Sequence, residues 1–353
     1  RGLLNPGNIV EPGPIESITQ HLRVDGENLA ADEEGTQVSR HQGIKTFFDY
    51  ADSDGFAHAV EQCNGAGVCR KRSGVMCPSY QATLDERHST RGRGNALRLA
   101  VTGQFAATSG LSGAGEPNWS DAETIKTLDL CLSCKACKSE CPSNVDIARL
   151  KAEYTAQRYR LMGRVPLPAM AIGRVRWLNR LGSMAPGIAN AVNRTGLARA
   201  VINRAMKIDP RRSLPPFTRS LFSRAKAMTP PTVGPAAPRV VLFGDCFTAY
   251  NESQVGVAAV RLLHALGYVV EVVDAGCCGR SMISVGMLEQ AIDTIDATVE
   301  RLRFAGEDRE VQRSHRRPIV HAALLLVEPQ GYRVDAVAEP GRAWAVVEDV
   351  PQV

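Results

Sequence analysis

The sequence predicts a mainly α-helical chain that passes into a smaller α/β part. Three observations predict it. Apolar residues recur at three- and four-residue spacing through most of positions 55–208. Seven of the ten cysteines fall in two tight groups of that stretch, between Cys63 and Cys141. From Arg239 the pattern changes to strand, helix, strand, helix, the order of a parallel, Rossmann-like unit. Five regions follow: 1–40, 41–162, 163–238, 239–303 and 304–353.

Residues 1–40 are rich in Gly, Pro and acids with little periodicity, and read as a connector. From Gly55, Phe56, Val60 and Cys63 share a helical face. A helix fits Arg93–Val101 with Leu97 and Ala100 inward, and another fits Asp121–Leu130 with Ile125 and Leu128. A third runs over Asn144–Leu161, with Ile147, Leu150 and Tyr154 on one stripe. Region 163–238 is helical but interrupted by Pro166, Pro168, Pro186, Pro210, Pro215 and Pro216, and its spacing marks Ile172, Val175, Leu178, Ile188, Val192 and Val201 as the apolar stripe. Beyond it, Val240–Phe243 and Tyr268–Val273 read as strands, and Gln254–Leu266 and Leu288–Leu302 as helices. Residues 304–353 hold no cysteine and suggest no module.

The chemistry sits in the cysteines. Cys131, Cys134, Cys137 and Cys141-Pro142 form C-x2-C-x2-C-x3-C-P, the bacterial ferredoxin spacing for iron–sulfur ligation. Three thiolates at that spacing can wrap one cluster, and the fourth, ahead of proline, serves a different one. The partner motif is Cys63, Cys69 and Cys77-Pro78, with Ala66 where the middle cysteine would stand. Exchanging the Cys-Pro residues gives a four-thiolate site, Cys77, Cys131, Cys134 and Cys137, suited to [4Fe–4S]. It leaves a three-thiolate site, Cys63, Cys69 and Cys141, suited to [3Fe–4S] or to [4Fe–4S] with one non-cysteine ligand. Together they describe an alpha-helical ferredoxin domain with two clusters. Zinc could take four of these thiolates, but structural zinc sites usually pair two knuckles.

Composition narrows the partners. No run of about eighteen apolar residues suggests a membrane span, and the first residues lack a signal-peptide pattern. Cysteines at ligand spacing, rather than in a disulfide framework, favour the cytoplasm. Net charge is +5, yet between Thr155 and Pro230 fifteen Lys/Arg face one acid, Asp209. Such a segment suits solvated helix faces, peripheral contact with an anionic inner membrane face, or an acidic electron acceptor. Too few aromatics interleave it for a nucleic-acid platform.

The runs Cys63-Asn-Gly-Ala-Gly-Val-Cys69-Arg-Lys, Gly74-Val-Met-Cys77-Pro-Ser-Tyr, Asp85-Glu-Arg-His-Ser-Thr-Arg-Gly-Arg93 and Leu130–Glu153 closely resemble the iron–sulfur part of large bacterial FAD-linked oxidases. These are the D-lactate, glycolate and D-2-hydroxyglutarate dehydrogenases that carry flavin and clusters on one chain. The likeness covers roughly residues 40–300. The opening Gly2-Leu-Leu-Asn5-Pro-Gly-Asn-Ile9 resembles the close of the FAD-linked oxidase domain, which implies a flavin domain upstream, with FAD on it and Asn5 near the flavin. Asp245-Cys246 and Cys277-Cys278-Gly279-Arg280 resemble a CCG cysteine-rich module of the heterodisulfide-reductase type. In that superfamily paired modules hold a further cluster; here the second, cysteine-containing half is absent from 304–353, so Cys246, Cys277 and Cys278 stand either as ligands or as a buried thiol group. The C-x5-C of Cys63 and Cys69 also resembles the three-iron centre of succinate dehydrogenase iron–sulfur subunits.

The resemblance implies the electron-transfer portion of an FAD/iron–sulfur D-2-hydroxyacid dehydrogenase, passing electrons from reduced flavin through two clusters to a quinone, cytochrome or other acceptor. Two alternatives stand beside it: a separate iron–sulfur subunit of another respiratory dehydrogenase, and a binding module whose clusters are purely structural. No residue suggests a substrate acid or base; His58 and His88 have no supporting pattern.

Overall fold

The computed structural model describes residues 44–102 apart from Asp54, 117–229 and 237–307, with short strands at 29–31, 37–39, 322–323, 333–335 and 346–348. Asn5 lies outside the described residues, as does most of 304–353. The chain divides into two units, residues 1–164 and 165–353.

In the first unit, strands β1 (Leu29–Ala31) and β2 (Gln37–Ser39) pair antiparallel. Among the described residues six α-helices follow: α1 (Phe56–Glu61), α2 (Pro78–Thr83), α3 (Thr90–Thr102), α4 (Ala122–Asp129), α5 (Ala136–Glu140) and α6 (Ile147–Met162). Phe56, Val60, Leu97, Val101, Leu128, Ile147, Leu150 and Tyr154 close one core, as the helical spacing predicts. Helix starts are set by capping: Asp121 accepts from the Thr124 N–H at 2.7 Å, and Asp146 from the Arg149 N–H at 2.9 Å. That cap moves the start of α6 past Asn144, which is held left-handed at φ +51°.

One buried charge ties this core together. Glu153 is fully buried on α6 and accepts from the backbone N–H groups of Phe47 and Phe48 at 3.1 and 3.2 Å, and from the Gln157 amide at 2.9 Å. Each carboxylate oxygen therefore has a donor, which is what makes such burial tolerable. Tyr154 works alongside it, donating to the Asn118 carbonyl and accepting from the Asp121 N–H.

The second unit opens with helices α7 (Leu167–Gly173), α8 (Val175–Met184), α9 (Pro186–Arg194) and α10 (Gly196–Met206), then α11 (Leu221–Lys226). Pro166 caps α7 and Pro186 begins α9, positions where a missing N–H costs nothing. Strand β3 (Arg239–Phe243) and helices α12 (Cys246–Tyr250) and α13 (Ser253–Ala265) lead to β4 (Val269–Val273), α14 (Arg280–Ser284) and α15 (Leu288–Glu307). The sheet is parallel, in the order β4-β3-β5. Its third strand, β5 (Ala322–Ala323), comes from the tail that by sequence suggests no module. Strands β6 (Arg333–Asp335) and β7 (Val346–Glu348) pair antiparallel.

The expected apolar stripe of the basic helices is reversed. On α8 the buried residues are Asn179 and Ser183, while Trp177, Leu178, Leu181 and Met184 are exposed. Asn179 donates to the Asn251 side-chain carbonyl oxygen at 2.6 Å, and Ser183 to the Thr218 carbonyl at 2.5 Å. Periodicity locates the faces of a helix but not which one is turned inward. No helix among the described residues is long and apolar enough to cross a membrane.

Candidate metal centre

The loop between α4 and α5 is built to turn thiols inward. Ser133 and Lys135, flanking Cys134, both adopt left-handed backbone, at φ +53° and +62°. That conformation is sterically costly for non-glycine residues, and it concentrates where a loop must fold around something. Cys77 shares the feature at φ +52°, directly before Pro78, the first residue of α2. A residue ahead of proline normally stays extended. Pro142, by contrast, opens a turn with Cys141 extended before it.

These loops bring Cys77, Cys131, Cys134 and Cys137 to the wall of one cavity, together with Thr90, Arg93, Ile147 and Ala148. The four are the thiols that exchange of the Cys-Pro residues groups together. Among the described residues no three His, Cys, Asp or Glu side chains gather closely enough to hold a single metal ion. In an iron–sulfur cluster each thiolate takes a different iron, so its ligands stand around a wall.

Burial and hydrogen-bond donors act in opposite directions on these thiols. The N–H groups of Ile147 and Ala148, at the start of α6, hydrogen-bond Cys137; burial still pushes its free thiol up to about 12. Burial also raises Cys77, against the opposing pull of Thr90 and Arg93. The Thr90 hydroxyl lies 3.0 Å from Cys77 Sγ. Arg93 is 2% exposed; it donates to the Ser79 hydroxyl at 2.7 Å and the Thr127 carbonyl at 3.3 Å, and its Nη1 lies 3.9 Å from Cys77 Sγ. Of those three partners only Cys77 can become an anion. A buried guanidinium beside neutral groups is costly, and thiolate ligation of an anionic group relieves that cost. Lys151 braces the same wall by donating to the Cys131 carbonyl at 2.8 Å; burial lowers its pKa.

The remaining three thiols are arranged differently. Cys69 is buried with Met76, Cys77 and Tyr80, and accepts from the Arg91 N–H at 3.4 Å. Cys141 packs against that group and also against the main core, where Cys63 packs too. Ala66 is exposed in a loop turned by Gly65 and Gly67, both left-handed, and its N–H donates to Asn64 Oδ1 at 3.0 Å. Arg91 fastens this loop, donating to the Gly65 carbonyl and pairing with Glu86. Gly92 lets α3 lie against the 86–88 turn: a methyl there would overlap the Glu86 carbonyl and meet Arg87 Cα at 2.9 Å.

In the second unit, Cys246 begins α12 after β3, and Cys277 and Cys278 follow β4, so all three stand beyond the carboxyl ends of parallel strands. That edge is where open α/β sheets place their sites. Hydrogen bonding with Cys277 lowers Cys246 and raises Cys278. Arg280 Nε lies 3.5 Å from Cys278 Sγ. The motifs group the cysteines but do not mark Arg93, Thr90 or Lys151. Arg93 has a signal of its own: it precedes Leu97 by four residues, on the inward stripe of its helix.

His88, lowered by burial and Arg93 against the opposing pull of Asp85, and His58, on α1, both lie outside the cavity wall.

Residues 59–145 match the family model described as 4Fe-4S dicluster domain. The D-2-hydroxyglutarate dehydrogenase of Pseudomonas putida is 28% identical over 319 residues, 81% of this chain and 30% of that protein. The probable glycolate oxidase iron-sulfur subunit of Bacillus subtilis is 25% identical over 232 residues, 62% of this chain and 48% of that protein. One subunit of the anaerobic glycerol-3-phosphate dehydrogenase of Escherichia coli is 30% identical over 172 residues, 46% of this chain and 41% of that protein. The chain thus spans less than half the length of these relatives. No solved structure matches. The match to a 4Fe-4S dicluster domain and the likeness to oxidoreductases that include named iron-sulfur subunits point the same way.

Proposed function

We propose that this chain, built on a 4Fe-4S dicluster domain, is the electron-transfer portion of an FAD-linked D-2-hydroxyacid dehydrogenase. The carrying observation is the cavity in which four thiols meet beside the buried Arg93. Cys77, Cys131, Cys134 and Cys137 would hold a [4Fe–4S] cluster; Cys63, Cys69 and Cys141 would hold a second, for which [3Fe–4S] fits the missing thiolate at Ala66. Bound there, such clusters supply one-electron redox capacity. The chain's own part is to fix the thiolates through its left-handed loop residues and keep one wall dry with Ile147 and Ala148. Thr90 and the helix N–H groups donate to sulfur, and Arg93 holds positive charge nearby.

FAD on an oxidase domain upstream in the same reading frame would deliver the electrons, and a quinone, cytochrome or other acceptor would take them, in the cytoplasm. The relatives' names support the hydroxyacid class. The likeness to one subunit of a glycerol-3-phosphate dehydrogenase supports the second reading, a separate iron–sulfur subunit. The three adjacent thiols Cys246, Cys277 and Cys278 could ligate a further cluster. The coding sequence upstream of Arg1 tests the proposal: a flavin-binding domain in frame is expected. A stop codon followed by an unrelated gene would overturn the fused arrangement. To test the chemistry, the chain is mixed anaerobically with its flavin partner and D-2-hydroxyglutarate, D-lactate or glycolate. Bleaching of cluster absorbance is expected with one of them; no bleaching with any, despite flavin reduction, would overturn the relay.

A further inference from the structure

Helices α8, α9 and α10 turn apolar side chains outward. On α8 the buried residues are polar, Asn179 and Ser183, both hydrogen-bonded, and on α9 Asn190 donates to the Phe217 carbonyl at 2.8 Å and accepts from its N–H at 2.8 Å. Their apolar residues face outward, with Trp177 60% exposed, Met184 78%, Ile188 71% and Leu197 82%. Single exposed apolar residues are ordinary, but a succession over three helices marks an interaction surface. Residues 165–206 also carry six arginines and no acid. Arg180, Arg194 and Arg204 are exposed on the same helices; Arg176 instead turns inward and pairs with Asp274.

We propose that this face docks on a bilayer containing anionic phospholipid, lying in the interface rather than crossing it. Charge complementarity selects the occupant. Arginines bordering outward apolar side chains suit phosphate headgroups above acyl chains, and Trp177 suits the boundary between them. A second copy of the chain fits poorly, because a two-fold contact would bring arginine against arginine with no acid to answer it. The inference goes beyond the electron-transfer reading and does not depend on it.

The test is co-sedimentation of the full chain with vesicles of phosphatidylcholine, alone or with phosphatidylglycerol. Each basic residue near an anionic surface is worth about 1 kcal/mol, or about fivefold in partitioning. Binding to the anionic vesicles is expected, weak on neutral ones and weakened by salt. Reversing three charges (Arg180→Glu, Arg194→Glu, Arg204→Glu) should lower partitioning at least a hundredfold, on the order of fivefold for each charge lost. Trp177→Ser with Met184→Ser and Leu197→Ser should also release the chain, with unchanged circular dichroism showing that it still folds. Trp177→Phe should remove the blue shift of tryptophan fluorescence on vesicles. No binding to anionic vesicles, equal binding to neutral ones, or retention by both triple variants would overturn the proposal. So would a concentration-dependent dimer abolished by the serine variants, which would assign the face to a second copy.

Discussion

Replacing Arg93 by Gln tests whether the buried guanidinium works on the cluster or only on the fold. Its Nη1 is 3.9 Å from Cys77 Sγ, and it is 2% exposed. Two unit charges about 4 Å apart interact by about 4 kcal/mol at an effective dielectric of about 20. An electron added to a cluster held by these thiolates would be shared over several atoms, which roughly halves the figure to about 2 kcal/mol. At about 59 mV per tenfold for a one-electron couple, this is about 90 mV. The sign follows from charge: Arg93 favours the more negative, reduced form, so Arg93→Gln lowers the midpoint potential. Arg93→Lys keeps the charge and loses the fork to Ser79 and Thr127, so it should lose stability yet hold its potential nearer to wild type. The assay is an anaerobic redox titration followed by EPR on the iron-loaded full chain. A folded, iron-loaded Arg93→Gln variant whose midpoint stays within about 20 mV of wild type, far below one tenfold step, refutes the reasoning. Equal shifts in the Gln and Lys variants would refute it as well, because geometry rather than charge would then be responsible.

Other outcomes follow from the same contacts. Ala66→Cys places a thiolate at the missing middle position, and should add one iron per chain by colorimetric assay while abolishing the three-iron EPR signal of the oxidised protein. Gly92→Ala forces a methyl against the Glu86 carbonyl and should cost about 1–3 kcal/mol, read as a lowered Tm. Glu153→Leu strands the Phe47 and Phe48 N–H groups inside the first unit and should cost about 2–3 kcal/mol in chemical denaturation. Iron loading itself should raise the Tm, because metal ligation is coupled to folding and gives buried Arg93 an anionic neighbour.

Much of this is legible in the chain itself. The spacing of Cys131, Cys134, Cys137 and Cys141, read against Cys63, Cys69 and Cys77, groups the same four thiols that line the cavity. The stripe of Ile147, Leu150 and Tyr154 marks the core face of α6, because a helix with one apolar face has one way to bury it. The basic helices escape the same rule. Their inner face is held by side-chain amides and hydroxyls bonded to Asn251, Thr218 and Phe217, partners remote in sequence that no local pattern encodes. Left-handed Cys77, Ser133 and Lys135 are equally hidden, since only glycine advertises that conformation in a sequence. Strand β5 is invisible in the same way: two alanines carry no strand signal of their own, and pairing with β3 makes them a strand.

The central claim is that two redox-active iron–sulfur centres share this domain, with the four-thiolate site divided between the two motifs. Cys77→Ser examines it most directly, because that cysteine lies more than fifty residues from the run whose cluster it is proposed to complete. An EPR-monitored titration of wild type between about −500 and +200 mV, inside the range such centres span, should show two reversible signals. Cys77→Ser should lose or shift the [4Fe–4S] signal and leave the other in place. Loss of the three-iron signal instead, or no wild-type cluster that changes oxidation state, would contradict the account.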